Sequence, residues 1–217
     1  SGMAAISTVL MGLLSSGDHV VANTDVYGGT YGLMTGELPR FGIEVTMADM
    51  REPSSYEASI QENTKLLYIE TLSNPCLKVC DVEAMASIAK KHNLLLVIDN
   101  TFTSPWGCSP ISMGCDLVIH STTKYLGGHS QVVGGAVVGR ADLIAELFAK
   151  KVHFGGGVDP HSAFLLEQGI RTLHARMPIH VNNSFELATR LLEHEKISDV
   201  FHPSHPTHPD YEVAKRI

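Results

Sequence analysis

The chain has 217 residues, with 16 Lys and Arg against 23 Asp and Glu, a net charge of −7 with His neutral. Hydrophobic residues make up 44% and charged residues 18%, enough apolar side chains for a core and too few charges for a disordered chain. The acidic balance argues against nucleic acid, which needs clustered Lys and Arg, and no run approaches the roughly 20 apolar residues of a membrane span, so the expected partner is a small molecule.

Apolar residues at positions 3, 6, 10, 13 and 14 predict a helix from Met3 to Leu14, ended by Ser-Ser-Gly. His19–Ala22 follows as a short strand. Gly28–Leu38 reads as helical with Pro39 near its end, and Ile43–Met47 as a strand. Ser54 and Glu57 have capping-box spacing, which predicts a helix over Tyr56–Glu62. Leu66–Glu70 is a strand closed by the turn Ser73-Asn74-Pro75. Asp81 is placed to cap a helix running to His92. Leu94–Ile98 is a continuous apolar run, as for a strand covered on both faces. Leu117–His120 and Val132–Val138 are further strands, and Ala141–Lys151 is a helix. After Gly155-Gly156-Gly157 come a helix over Pro160–Gly169 and an amphipathic helix from Pro178 to Glu195. Ile217 falls in the start of another.

This alternation predicts an α/β fold with a mostly parallel sheet flanked by helices on both faces. Ligands collect at the carboxyl ends of such strands, where Asn74, Asp99-Asn100 and Ser121–Lys124 sit. The opening Ser1-Gly2-Met3 carries no basic stretch ahead of an apolar core and begins in mid-pattern without an initiator Met. The chain therefore reads as a piece of a longer protein. Cys76, Cys80, Cys108 and Cys115 form no C-x-x-C pair, which suggests reduced thiols and a cytoplasmic protein. No G-x-G-x-x-G follows a strand, no Gly-Lys pair offers a P-loop, and Gly128-His129-Ser130-Gln131-Val132 misses the nucleophile-elbow pattern. His202, His205 and His208 lie among prolines in what reads as a solvated loop, and no metal site is expected.

Five features carry possible chemistry, each with a plainer alternative. Lys124 follows a buried strand and two hydroxyl residues. At a desolvated site it could lose its proton and attack an aldehyde, or it could be a solvated loop lysine. Ser121 and Thr123 could donate to a phosphate. Asp99 ends an apolar strand and must be paired; it could cap the next loop through Asn100 and Thr101, or pair with a pyridinium nitrogen. Ser1-Gly2-Met3 opens a helix whose N–H groups could bind phosphate, or Ser1 could be an N-cap. Tyr27 could stack on a flat ring or serve as a turn residue, and Asn74 could meet a ring hydroxyl or make the turn.

In this order the features resemble the trans-sulfuration, or Cys/Met metabolism, family of pyridoxal phosphate enzymes. The similarity rests on Val97-Ile98-Asp99-Asn100-Thr101-Phe102, on Ser121–Lys124 continued by Tyr125-Leu126-Gly127-Gly128-His129-Ser130, on Val26–Thr30, and on Gly169–Leu173 with Arg176-Met177. The resemblance implies the large domain of a fold type I transferase over residues 1–177, lacking its N-terminal part. Residues 178–217 would be a linking helix and the start of a truncated C-terminal domain. It implies that Lys124 carries pyridoxal 5'-phosphate, Asp99 pairs with the ring nitrogen, Tyr27 stacks on the ring and donates a proton, and Asn74 meets the ring hydroxyl. Gly2, Met3, Ser121 and Thr123 would hold the phosphate; Glu70 lies near the site without an assigned part.

The implied reaction is elimination at the γ-carbon of cystathionine or homocysteine, giving a 2-oxo acid, ammonia and a thiol. The alternatives are γ-replacement, as in a cystathionine γ-synthase or O-acetylhomoserine sulfhydrylase, and a non-catalytic cofactor-binding chain. Gly29 stands where methionine γ-lyases carry Cys, and Gly32 where vertebrate-type cystathionine γ-lyases carry Arg. A dimer-based tetramer is implied for the full-length protein. A substrate-binding arginine and an N-terminal arm would lie outside this chain, which is then expected to be inactive alone.

Overall fold

A computed structural model describes residues 1–217. Six strands form one sheet: β1 (His19–Asn23), β2 (Glu44–Ala48), β3 (Thr64–Glu70), β4 (Leu95–Asp99), β5 (Leu117–Ser121) and β6 (Gly135–Gly139). Their order is β2-β1-β3-β4-β5-β6, parallel throughout except for the antiparallel pairing of β6 on β5. The helices are α1 (Gly2–Leu13), α2 (Gly28–Gly32), α3 (Pro53–Ala58), α4 (Val82–Lys91), α5 (Ser104–Gly107), α6 (Ala141–Phe154), α7 (Pro160–Arg171), α8 (Leu173–Leu192) and α9 (Tyr211–Ala214).

Side chains alternate across each strand, so the sheet feeds two cores. Val20, Ala22, Leu66, Tyr68, Val97, Leu117 and Ile119 pack with Ile6, Val9 and Leu10 of α1 and with Leu143 and Leu147 of α6. On the other face Val21, Leu67, Ile69, Leu96, Ile98 and Val118 pack with Val82, Met85 and Ala89 of α4. Asp81 caps α4 as expected, its carboxylate accepting from the Ala84 N–H at 3.2 Å.

Four sequence expectations need correction. α3 begins at Pro53 rather than Tyr56, because proline suits the first helical position, and the Ser54/Glu57 box does not form. The Gly28–Leu38 segment is helical but irregular: α2 gives way to a π turn over Leu33–Glu37 and a 3-10 turn over Leu38–Phe41. Its glycines give little intrinsic helix support, and the buried Met34 and Leu38 set its path. β6 starts at Gly135 because Gly134 is occupied: its carbonyl accepts from the Thr122 N–H at 3.0 Å and its N–H donates to Thr123 Oγ1 at 3.1 Å.

The fourth concerns Pro178, which lies inside α8 instead of ahead of it. Proline removes one helical donor and ordinarily stops a helix. Here the first turns of α8 are held from outside. Leu173 and Met177 pack with Leu126, and Arg176 donates from Nη2 to Tyr125 O at 2.9 Å and to Gly169 O at 2.8 Å. The loop after β5 is thus pinned to α7 and α8.

Gly169 makes that contact possible, since a Cβ there would press into the backbone carbonyl oxygens of Leu126 and Gly127. Helix propensity favours Gly→Ala by about 1 kcal/mol, whereas forced overpacking costs about 1–3 kcal/mol. The steric term should win, because its target is backbone. Gly169→Ala is therefore expected to lower the urea midpoint of unfolding; a raised midpoint would mean the contact yields easily.

Candidate functional site

The carboxyl ends of β1, β3, β4 and β5 leave Asn23, Glu70, Asp99 and Ser121 along one edge of the sheet. Asp99 is buried, 9% exposed. Burial pushes its carboxyl above the usual range, and two donors from Thr101 pull it back. Its Oδ1 accepts from the Thr101 N–H at 3.0 Å and the Thr101 hydroxyl at 2.5 Å. Oδ2 makes no hydrogen bond within the chain. The loop-capping role and a ligand-pairing role therefore use different oxygens of one carboxylate.

Thr101 does more than cap. Its Oγ1 also accepts from the Ser121 N–H at 2.8 Å, so the ends of β4 and β5 are joined through one hydroxyl. Sequence reasoning treated Thr101 only as a loop donor; the signal was its place two residues after a strand-end Asp. Asn100 is buried beside it, donating from Nδ2 to Cys108 O at 2.9 Å and Ser104 O at 3.2 Å.

α1 points its N-terminus at Ser121. A Cβ on Gly2 would lie 2.7 Å from Ser121 Cβ and 2.8 Å from its Oγ, so only glycine permits this approach. Ser1 caps the helix, its Oγ accepting from the Ala4 N–H at 3.1 Å. The N–H groups of Gly2 and Met3, in the first turn, have no helical acceptor and lie beside the free Ser121 hydroxyl.

Thr123 is differently disposed. Its hydroxyl donates to Gly134 O at 3.3 Å and accepts from Gly134 N, so it already serves the backbone. Lys124 lies in the turn after β5, its N–H donating to Ser121 O at 3.2 Å, and its side chain is exposed. Of the two settings the sequence left open, a desolvated site and a solvated loop, Lys124 has the exposed one within this chain.

Tyr27 precedes α2 and is 49% exposed. Its ring lies over Gly29, where a Cβ would come 2.6 Å from Tyr27 Cε1 and 3.0 Å from Met3 Sδ. Tyr27 thus sits beside the start of α1. Its N–H donates to Glu70 Oε1 at 2.7 Å. Burial drives the Glu70 carboxyl up to about 8, the Tyr27 N–H opposes this, and the charge of Asp99 adds to it. That shift favours the protonated form of Glu70 near neutral pH, which lessens the like charge beside Asp99. Asn74 is half-buried in the turn after β3, next to a cis Asn74–Pro75 bond, and its N–H also faces Glu70.

The histidine-rich loop stands apart. No group of three His, Cys, Asp or Glu side chains is arranged to hold a metal. The loop is also not fully solvated, a further correction to the sequence reading: His208 and Asp210 are buried. Asp210 accepts from Arg51 Nε at 2.9 Å and the Val79 N–H at 3.0 Å, which docks the segment on the body of the fold. All four cysteines are free thiols, and no helix is long and apolar enough to cross a membrane.

The model of the Cys/Met metabolism PLP-dependent enzymes matches residues 1–217. The chain is 46% identical over 220 residues to cystathionine gamma-lyase of Bacillus subtilis, covering 99% of this chain and 57% of that protein. It is 41% identical over 219 residues to L-methionine gamma-lyase of Porphyromonas gingivalis, covering 100% and 55% respectively. The crystal structure of cystathionine gamma-lyase from Lactobacillus plantarum, complexed with L-serine, superposes with a TM-score of 0.96 at 40% identity, over 100% of this chain and 57% of that one. The chain thus spans about half the length of the relatives it matches. Matched end to end by the family model, and lying at about 40% identity or more to members of the family, this chain belongs to the Cys/Met metabolism PLP-dependent enzymes.

Proposed function

We propose that the protein eliminates at the γ-carbon of a sulfur amino acid, cystathionine or homocysteine, to give a 2-oxo acid, ammonia and a thiol. The observation that carries this reading is the convergence on one strand edge of a buried Asp99 with an unused oxygen, a glycine-opened helix N-terminus against Ser121, and Lys124 three residues further on. These residues fit pyridoxal phosphate. The cradle of Gly2, Met3 and Ser121 suits a phosphate, because free N–H groups at a helix start favour an anion. Asp99 Oδ2 suits a protonated ring nitrogen, since a buried carboxylate needs a cationic or donor partner.

When bound, pyridoxal phosphate supplies an electron sink for the Cα carbanion. The chain's own side chains divide the remaining tasks. Lys124 Nζ holds the cofactor and then takes the Cα proton of the substrate. Asp99 keeps its charge at the ring-nitrogen end. Tyr27 covers the ring face and delivers a proton from Oη to the departing sulfur. Asn74 orients the ring hydroxyl. Ser121, with Gly2 and Met3, fixes the phosphate end; Thr123 acts by holding Gly134 and joins the cradle if its hydroxyl turns away from that carbonyl.

The 46% identity to a cystathionine gamma-lyase supports γ-elimination, and the 40% identity to a probable cystathionine gamma-synthase keeps γ-replacement as the second reading. Residues 1–177 would form the cofactor-binding domain, continuous through α8 with residues 178–217. The free thiols suit a cytoplasmic setting, and a homo-oligomer belongs to the same reading.

Three outcomes test it in the full-length protein. Borohydride treatment of the cofactor-loaded protein should fix the label on the peptide containing Lys124; label on another lysine would overturn the assignment. Asp99→Ala should retain cofactor absorbance yet lose turnover by about two orders of magnitude or more, the scale for removing a preorganised charge partner. Near-normal kcat in that variant would refute the pairing. Finally, 2-oxo acid release should be faster from cystathionine or homocysteine than from methionine, with methionine as best substrate the contrary result.

A further inference from the structure

Glu70 is the buried carboxyl on the strand edge to which the proposed chemistry gives no part. It ends β3 opposite Asp99 in the parallel register and is 5% exposed. A carboxyl in such a place needs hydrogen bonds, and its strongest one reaches outside its own strand to the Tyr27 N–H at 2.7 Å. That N–H opens α2, a helix whose cap residue makes no side-chain capping bond. The capping function is therefore supplied from β3.

The surroundings tie the same turn down repeatedly. Glu70 N–H donates to Asn23 Oδ1 at 3.2 Å, and Asn23 Nδ2 donates to Asp25 O at 2.9 Å. Lys78 Nζ holds Asp25 Oδ2 at 2.6 Å. The Tyr27 ring, by contrast, is half exposed and lies over Gly29, which has no side chain to wall it in. An aromatic ring in that situation takes its direction from its backbone. The Asn74 N–H faces the same carboxyl, so one group meets both turns that flank the ring face.

We propose that Glu70 is a positioning residue for Tyr27: its carboxyl, by reach and not by charge, fixes the backbone that aims the Tyr27 ring over the cofactor. This rests on the reading that pyridoxal phosphate binds at this edge. Protonation of Glu70 at neutral pH agrees with it, since a neutral group can serve as the acceptor.

Two conservative changes separate reach from charge. Glu70→Gln keeps an acceptor at the same distance and drops the ionisable group. Glu70→Asp keeps the carboxyl and draws it back by one methylene. Each is made in the full chain, with urea midpoints confirming a folded state. Amide exchange at Tyr27, measured without cofactor, should stay within about threefold of wild type in Glu70→Gln and quicken about tenfold or more in Glu70→Asp, the factor for a hydrogen bond worth about 1.4 kcal/mol. The cofactor dissociation constant, followed by absorbance, should rank the two variants in the same order. On a Tyr27→Ala background, Glu70→Asp should weaken cofactor binding no further.

The reverse ranking, equal losses in both variants, or no loss in either would overturn the proposal, as would additive losses in the double variant. If wild type binds no pyridoxal phosphate while the exchange pattern holds, the cofactor reading fails and the backbone anchor stands.

Discussion

A parallel sheet covered on both faces leaves its strand ends as the place where polar side chains can gather without opposing hydrophobic burial. Val97 and Ile98 are fully buried on opposite faces, and the next residue, Asp99, is the first that can be polar. The same step occurs from Ile69 to Glu70 and from Ile119 through His120 to Ser121. Because the strands are parallel and nearly in register, these transitions fall side by side. Everything chemical in the structure hangs on that alignment.

Close approach is the second requirement, and it is met by missing side chains. Gly2 lets α1 descend onto Ser121, while a Cβ on Gly135 would lie 2.9 Å from Ala5 Cβ. Glycines at both surfaces bring a helix N-terminus within reach of a strand end. The N–H groups of its first turn then lie where a phosphate would be held, and the macrodipole adds a favourable field. On the far side of the site, Gly128 and Gly169 let Arg176 and the backbone after Lys124 come together in the same way.

Much of this was legible beforehand. Strand positions followed from apolar runs, since burial on both faces writes itself as continuous hydrophobicity, and the cap at Asp81 followed from its chemistry. The fold class and the grouping of Asp99 and Ser121 at the carboxyl edge emerged from the same pattern, while Gly2 joined them through the family resemblance. What failed was local grammar overruled from a distance. Pro178 marks a helix start by rule, yet Leu173, Met177 and Arg176 hold an earlier turn against the loop after β5. Thr101 and Glu70 were under-read because their partners, Ser121 and Tyr27, lie 20 and 43 positions away. The exposed setting of Lys124 was one of two readings the sequence left open, since solvent access depends on the path of a turn as well as on the residues beside it.

The hydroxyl of Thr101 links Asp99 to the backbone of Ser121 in two short bonds, 2.5 Å and 2.8 Å long. It therefore works as a ruler. On the proposed reading, the group that would meet the ring nitrogen of the cofactor and the strand end that would meet its phosphate cannot drift apart independently. A cofactor held at both ends would have to match that span. Selection among phosphorylated aromatic compounds would then come from length as well as charge, and it would be set before any substrate arrives.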